Sequence, residues 1–268
     1  MRRFATIGFM RPFSRQRLTP DFDPVEISEK KGIRYLHLGG PAIQSAMRIK
    51  DPYALELEYT RAMLAFLLFN EAPGKIALIG LGGASVAKFI HRNLPDSHLA
   101  ALEINPKVVS AARSFFLLPE DDERLSVIVG DGAQYVREQS GALDVLLVDG
   151  YDAQRIVEAL ASEDFYAACR DALAPGGVAV FNLWGSDRFF DIYFDRVARA
   201  FDDHTLILPA EKKGNIQLFA FRPPLPDLRF ANLNERARRL EARLGLEMPV
   251  FVERMKQYNT NDAGGFRS

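Results

Sequence analysis

Residues 75–85 read Lys75-Ile76-Ala77-Leu78-Ile79-Gly80-Leu81-Gly82-Gly83-Ala84-Ser85. A short apolar run enters a glycine-rich turn, and a helical pattern follows. Small residues at such a turn let the backbone approach a ligand, and the helix N-terminus offers free amide groups. The spacing only approximates the dinucleotide fingerprint, because its third glycine is absent, so glycines that serve packing alone are an alternative reading of this loop. Outward from it the same alternation recurs, with strands predicted at 75–80, 98–104, 125–130, 143–149 and 177–183. Strands separated by helices or loops in this way predict a parallel sheet wrapped on both faces. Two further strands, His204 to Leu208 and Asn215 to Phe221, follow a helix from about Asp187 to Phe201. The short link Pro209 to Gly214 between them predicts an antiparallel pair at the sheet edge.

On the N-terminal side, Val25 to Ile49 alternates and turns often, through Lys31-Gly32 and Gly39-Gly40-Pro41, which predicts a small antiparallel sheet. Tyr53, Leu57, Arg61 and Leu64, with the apolar tail to Leu68, recur at helical spacing, and Asp51-Pro52 reads as N-cap and first-turn residue. On the C-terminal side, Pro223-Pro224-Leu225-Pro226 reads as a linker, and Leu233, Ala237, Leu240 and Leu244 form the apolar stripe of one charged helix. The chain is thus divided into a basic arm and small β domain (1–50), an α/β nucleotide-binding domain with its leading helix (51–222), and a linker with a C-terminal helix (223–268).

Composition narrows the function classes. The chain has 268 residues, 48% hydrophobic and 26% charged, with a formal net charge of −1. A duplex binder usually carries a marked basic excess, so no nucleic acid partner is expected. The arginines at 236, 238, 239 and 243 have Glu235 and Glu241 interleaved, the pattern of a solvated helix face. Cys169 is the only cysteine, which excludes an internal disulfide and fits a reducing cytoplasm. Its apolar neighbours mark it as a core thiol rather than a nucleophile. The four histidines (His37, His91, His98, His204) stand singly, without the spacing of a metal site or a Ser-His-Asp triad. No apolar stretch approaches the roughly 18 residues of a membrane-spanning helix, and Arg11-Pro12 interrupts any signal-peptide core in the basic N-terminus.

Carboxylates close the predicted strands. Glu103, 21 residues after Gly82, ends the second strand in Leu102-Glu103-Ile104-Asn105-Pro106. A carboxylate at that place can accept hydrogen bonds from both ribose hydroxyls, which argues for an adenosine-containing ligand. Gly130-Asp131-Gly132-Ala133 closes the third strand. There Asp131 suits either an adenine amino group, with the following amides meeting ring nitrogens, or the cap of the next helix. Asp149 and Asp152 follow the apolar Val145-Leu146-Leu147-Val148, with Glu158 a little further on. Unpaired buried charge is expensive, so this pair suggests a shared cationic ligand beside the nucleotide, although one of the two could cap a helix.

From Val25 to Arg222 these residues resemble the polyamine aminopropyltransferases, the spermidine synthase family. The family's segment running Asp-x-x-Asp-Pro, then Gly-Pro-x-Glu-x-Leu and ending in Phe-Tyr lines up without a gap on Asp149 through Tyr166, matching at Asp149, Asp152, Glu158, Leu160, Phe165 and Tyr166. Glu103, Asp131 and Pro175-Gly176-Gly177 also match, and Gln44, after Ile43, looks like the family's nucleotide-contacting glutamine.

The resemblance implies a Rossmann-like doubly wound sheet of the class I methyltransferase type, with antiparallel edge strands and a small β domain in front, assembled as a homodimer. It implies transfer of an aminopropyl group from decarboxylated S-adenosylmethionine to an amine such as putrescine, with no metal. By position, Asp149 is the proton acceptor, Asp152 and Glu158 hold the amine substrate, and Gln44, Gly80, Gly82, Glu103, Asp131 and Gly132 hold the co-substrate. Three departures stand out. Gly83 replaces the acid of the family's glycine loop; Ala153, Arg155 and Ile156 replace prolines and glycine of its gating loop; its Tyr-His-Glu has no clean counterpart around Glu56-Leu57-Glu58. Methyl transfer from intact S-adenosylmethionine, or nucleotide binding without catalysis, are the alternatives these departures leave.

Overall fold

Seven of the apolar runs pair into one sheet because their residues are buried on both faces, as a parallel sheet covered by helices requires. The computed structural model describes residues 22–150, 158–210 and 214–267. In chain order the strands of the central sheet are β4 (Lys75–Ile79), β5 (His98–Glu103), β6 (Leu125–Val129), β7 (Leu143–Val148), β8 (Leu173–Trp184), β9 (Thr205–Pro209) and β10 (Asn215–Phe221). Their spatial order is β6-β5-β4-β7-β8-β10-β9. Strands β4 to β8 pair in parallel, and β10 runs antiparallel to both β8 and β9. This is the doubly wound sheet expected, with the reversed strand one place in from the edge. The chain leaves β4 toward β5 and β6 on one side and later fills β7 and β8 on the other. That reversal opens a crevice beyond the carboxyl ends of β4 and β7.

The two faces of the sheet are filled by different helices. Val145, Leu147, Val180 and Phe219 face a cluster completed by α1 (Glu58–Met63), α2 (Ser85–Asn93) and the C-terminal helices α7 (Phe230–Leu244) and α8 (Met248–Tyr258). Leu146, Val148, Phe181 and Leu218 face the cluster of α4 (Gly132–Glu138), α5 (Glu163–Ala172) and α6 (Phe190–Ala200). Strands β1 (Val25–Lys30), β2 (Ile33–Leu38) and β3 (Ser45–Arg48) form the separate antiparallel sheet. Its Leu36 and Met47 pack on Val108, Ala111 and Phe116 of α3 (Pro106–Phe116), which sets β3 against the glycine loop.

Three elements differ from the sequence expectation. Residues 51–57 are not helical: α1 begins at Glu58, with Leu57 rather than Asp51 at its N-cap. Long side chains claim that segment's carbonyls instead. Lys88 Nζ donates to the Pro52 oxygen at 2.7 Å, and Arg61 Nη1 donates to those of Leu55 and Glu56 at 3.0 and 3.2 Å. Strand β8 starts at Leu173 rather than at Gly177, and a register shift between Leu143 and Val145 absorbs the extra residues. The C-terminal segment holds a second helix, α8, whose Pro249 sits in the first turn, where its missing N–H costs no helical bond. Leu233, Met248, Phe251 and Met255 join the main core, so this segment is packed against the sheet rather than appended to it.

Lys88 is fully buried and also donates to the Phe116 carbonyl at 2.6 Å. Burial lowers its pKa from the usual 10.5 to about 8. Between those values the unfolded chain binds a proton that the folded chain does not, so stability rises with pH there. Urea unfolding between pH 8 and 10.5 is expected to show this rise in the native protein and to lose it in Lys88→Met.

Candidate functional site

The crevice beyond β4 and β7 forms a cavity lined by Leu38, Gln44, Ile79, Gly80, Gly82, Leu102, Glu103, Ile104, Gly130, Asp131, Gly132, Asp149, Gly150, Ala159 and Leu160. It brings together Gln44, Gly80, Gly82, Glu103, Asp131, Gly132 and Asp149. Glu158 stands apart: it opens a short 3-10 turn, Glu158–Leu160, and fronts a neighbouring depression with Glu163, Phe189 and Arg196. Asp152, with Ala153, Arg155 and Ile156, lies outside the described residues.

Each lining residue is placed by a local feature. Gly80 adopts φ +91°, and a side chain there would collide with the Asp149 carbonyl oxygen, so only glycine lets β4 and β7 end this close together. Glu103 ends β5 with its carboxylate drawn back toward the loop, accepting from the Leu81 amide at 3.2 Å and the Asn105 amide at 2.9 Å. Burial raises its pKa, and amides of Asn105, Leu81, Gly82 and Ile104 pull it partly back. Those donors fix the carboxylate while leaving it acceptor capacity toward the cavity. Asp131 caps α4, accepting from the Ala133 amide at 2.8 Å, and lines the cavity as well. The cap and a cavity-lining position therefore coexist in one residue.

Asp149 follows β7 on the face occupied by α1. It keeps some surface open to the cavity and is otherwise enclosed by protein. Burial raises its pKa, and hydrogen bonds from Asn182 and Tyr59 oppose the rise. Asn182 Nδ2 donates to Asp149 Oδ1 at 2.7 Å. The Tyr59 hydroxyl, hydrogen-bonded to Asp149, is 3.2 Å from the Gln44 carbonyl oxygen. Burial first, then the neighbouring Asp149 charge, raises the Tyr59 pKa well above its usual value, so Tyr59 stays a donor. The result is a carboxylate held in place and more basic than an exposed aspartate.

Sequence reading missed Tyr59 and Asn182. Tyr59 sits one residue past Glu56-Leu57-Glu58, with Thr60 and Arg61 following it, and the unexpected loop at 51–57 disguised its place on the first helix. Asn182 belongs to a strand whose apolar residues dominate its reading; an amide near the end of a buried strand was the available signal. Behind it, Asn215 Nδ2 and Gln217 Nε2 donate to Asn182 Oδ1 at 2.9 and 2.8 Å. Gln217 is fully buried, and its Oε1 has no hydrogen-bond partner among the described residues, a cost of about 1–3 kcal/mol for such a group.

Gly83 does not face open space. A side chain there would lie 2.7 Å from Ser45 Oγ and 2.9 Å from Phe116 Cδ1. Close docking of β3 and α3 on the loop thus excludes an acid at this position. Among the described residues, the cavity carries three carboxylates, Glu103, Asp131 and Asp149, and neither lysine nor arginine. No three His, Cys, Asp or Glu side chains converge as a metal-ligand set among them, and no helix of the described residues is long and apolar enough to cross a membrane.

The family model described as Spermine/spermidine synthase domain matches residues 56–183. The chain is 45% identical over 258 residues to the polyamine aminopropyltransferase of Chromobacterium violaceum, covering 95% of this chain and 98% of that one. It is 39% identical over 255 residues to the polyamine aminopropyltransferase of Neisseria meningitidis serogroup A, covering 94% and 97%. A spermidine synthase solved with the transition-state analogue AdoDATO superposes with a TM-score of 0.70 at 23% identity, over 88% of this chain and 82% of that one.

Proposed function

Because the chain belongs to the polyamine aminopropyltransferase family, we propose that its cavity binds decarboxylated S-adenosylmethionine and presents the aminopropyl carbon to an amine such as putrescine. The protein is a transferase of the spermidine synthase type. In the reaction the amine nitrogen bonds to the carbon next to sulfur and the carbon–sulfur bond breaks. Its electron pair returns to sulfur, and methylthioadenosine leaves as a neutral thioether. The sulfonium is already a good leaving group, so the protein's work is alignment and a free nitrogen lone pair. An alkyl amine titrates near 10, as lysine does, and is mostly charged at neutral pH. Asp149 attracts that cation and accepts its proton, with Tyr59 and Asn182 holding the carboxylate toward the amine.

Glu103 holds the ribose hydroxyls, and Asp131 with the Gly132 amide meets the adenine edge. Gln44, Gly80 and Gly82 close the walls around the nucleoside. Asp152, by its place in the matched segment, holds the acceptor amine; Glu158, which fronts the neighbouring depression, is left without a part in this scheme. No metal enters this scheme. A homodimer in the cytoplasm is the assembly and setting that fit the family resemblance and the single buried cysteine.

The observation that carries the choice of donor is the cavity's charge. Carboxylates line it and no lysine or arginine does, among the described residues. Among the described residues, intact S-adenosylmethionine would bring its own carboxylate to this acidic wall without a lysine or arginine to meet it, whereas the decarboxylated donor brings only positive charge. Calorimetry is expected to show the decarboxylated donor binding at least about 10-fold more tightly, roughly 1.4 kcal/mol. Equal affinity, or a preference for the carboxylated form, would turn the assignment toward methyl transfer. With putrescine present, mass spectrometry is expected to find spermidine and methylthioadenosine in equal amounts.

A further inference from the structure

Three polar side chains form a row across neighbouring strands of an otherwise apolar sheet face. Asp149 follows β7, Asn182 lies on β8, and Gln217 on β10 stands directly opposite Asn182 in the antiparallel register. Two positions away on the same face, each strand carries a core residue: Leu147 on β7, Val180 on β8 and Phe219 on β10. An apolar residue at 217 would continue that pattern. A glutamine there instead carries a buried Oε1 with no hydrogen-bond partner among the described residues, a desolvation cost with no local return.

Its Nε2 supplies the return. Asn182 Oδ1 accepts from Gln217 Nε2 and Asn215 Nδ2, at 2.8 and 2.9 Å. Two donors on that oxygen fix which way the Asn182 amide faces, so its N–H groups must point to Asp149. Were the amide to turn over, its oxygen would meet the Asp149 carboxylate, acceptor against acceptor.

We propose that Gln217, a residue that does not line the cavity, is a positioning residue of the transfer reaction: through Asn182 it holds a hydrogen-bond donor on Asp149. The inference rests on the role proposed above for Asp149. Among the described residues, the titratable groups facing Asp149 are Tyr59 from α1 and, across the cavity, Glu103 and Asp131. None of them is hydrogen-bonded to Gln217, so a change at 217 reaches Asp149 through Asn182.

Gln217→Met keeps the side chain's length and removes both polar atoms. Its kcat is expected to fall about 5- to 10-fold while methylthioadenosine affinity, read by calorimetry, stays within about 2-fold. The acid limb of its pH–rate profile is expected to move up by about 1 pH unit, the size of one weakened hydrogen bond to a carboxylate. Asn215→Ala, at a part-buried position, removes the other donor and is expected to move the limb the same way by less; it serves if Gln217→Met does not fold. An unshifted acid limb in a folded variant that binds methylthioadenosine would overturn the inference. Asp149→Asn run alongside separates the two claims: if it is inactive while Gln217→Met matches the native profile, only the relay fails, and if it is fully active the role of Asp149 itself fails.

Discussion

Asp149→Asn is expected to lower turnover by on the order of 1,000-fold, the usual weight of a general base, while leaving the affinity for methylthioadenosine nearly unchanged. The amide keeps the shape that Asn182 and Tyr59 surround, so the cavity persists. What it loses is the negative charge that draws in the amine and the lone pair that takes its proton. Stopped assays with the decarboxylated donor and putrescine, paired with calorimetry of methylthioadenosine, check both halves. The native enzyme carries a linked signature. Burial raises the Asp149 pKa above that of an ordinary aspartate, so activity must fall as pH drops through that raised value. The loss on the acid side therefore begins at higher pH than an exposed aspartate would give. Undiminished product from the variant would remove Asp149 from the mechanism.

Glu103→Ala is expected to act on the other half of the site. Two hydrogen bonds from ribose hydroxyls to an ionised carboxylate are worth about 1.5–3 kcal/mol each. Losing them, offset in part by water entering the space, predicts roughly 100-fold weaker donor and methylthioadenosine binding. The Leu81 and Asn105 amides lose their acceptor as well, so the glycine loop loosens where it should be most fixed. The KM for the donor rises with the dissociation constant, and kcat at saturating donor changes much less. A variant that binds methylthioadenosine as the native protein does would place the ribose elsewhere.

These two residues show why part of the site was readable in one dimension. Glu103 ends one strand of the parallel sheet and Asp149 directly follows another, and in a doubly wound sheet the carboxyl ends of the parallel strands come to one rim. Once the strands are recognised by their apolar runs, the residues just beyond them are bound to be neighbours. Asp131 is the instructive intermediate. Residue type alone suits a helix cap and a ligand contact equally; in the structure Asp131 caps α4 and also lines the cavity.

Other features depend on contacts that no local pattern encodes. Helix α1 starts later than its periodicity suggests because Lys88 and Arg61 bind carbonyls of residues 52, 55 and 56, and that displacement hides Tyr59. The second C-terminal helix escapes a sequence reading because a proline near its start looks like a break unless its place in the first turn is known. Gly83 can be noted from sequence only as a missing acid; Ser45 and Phe116, one from β3 and one from α3, supply the steric reason.

The sequence by itself determined the order of the central-sheet strands along the chain and the carboxylates at their ends, because periodicity and chain direction are local properties that survive in a linear string. Only the tertiary structure decided what surrounds Asp149. Tyr59, Asn182 and Gln217 come from three separate segments, and they meet because helix α1 packs on the sheet face where β7, β8 and β10 lie side by side. The proton-accepting strength of a buried carboxylate is set by such neighbours and by exclusion of water, and both exist only after the chain has folded.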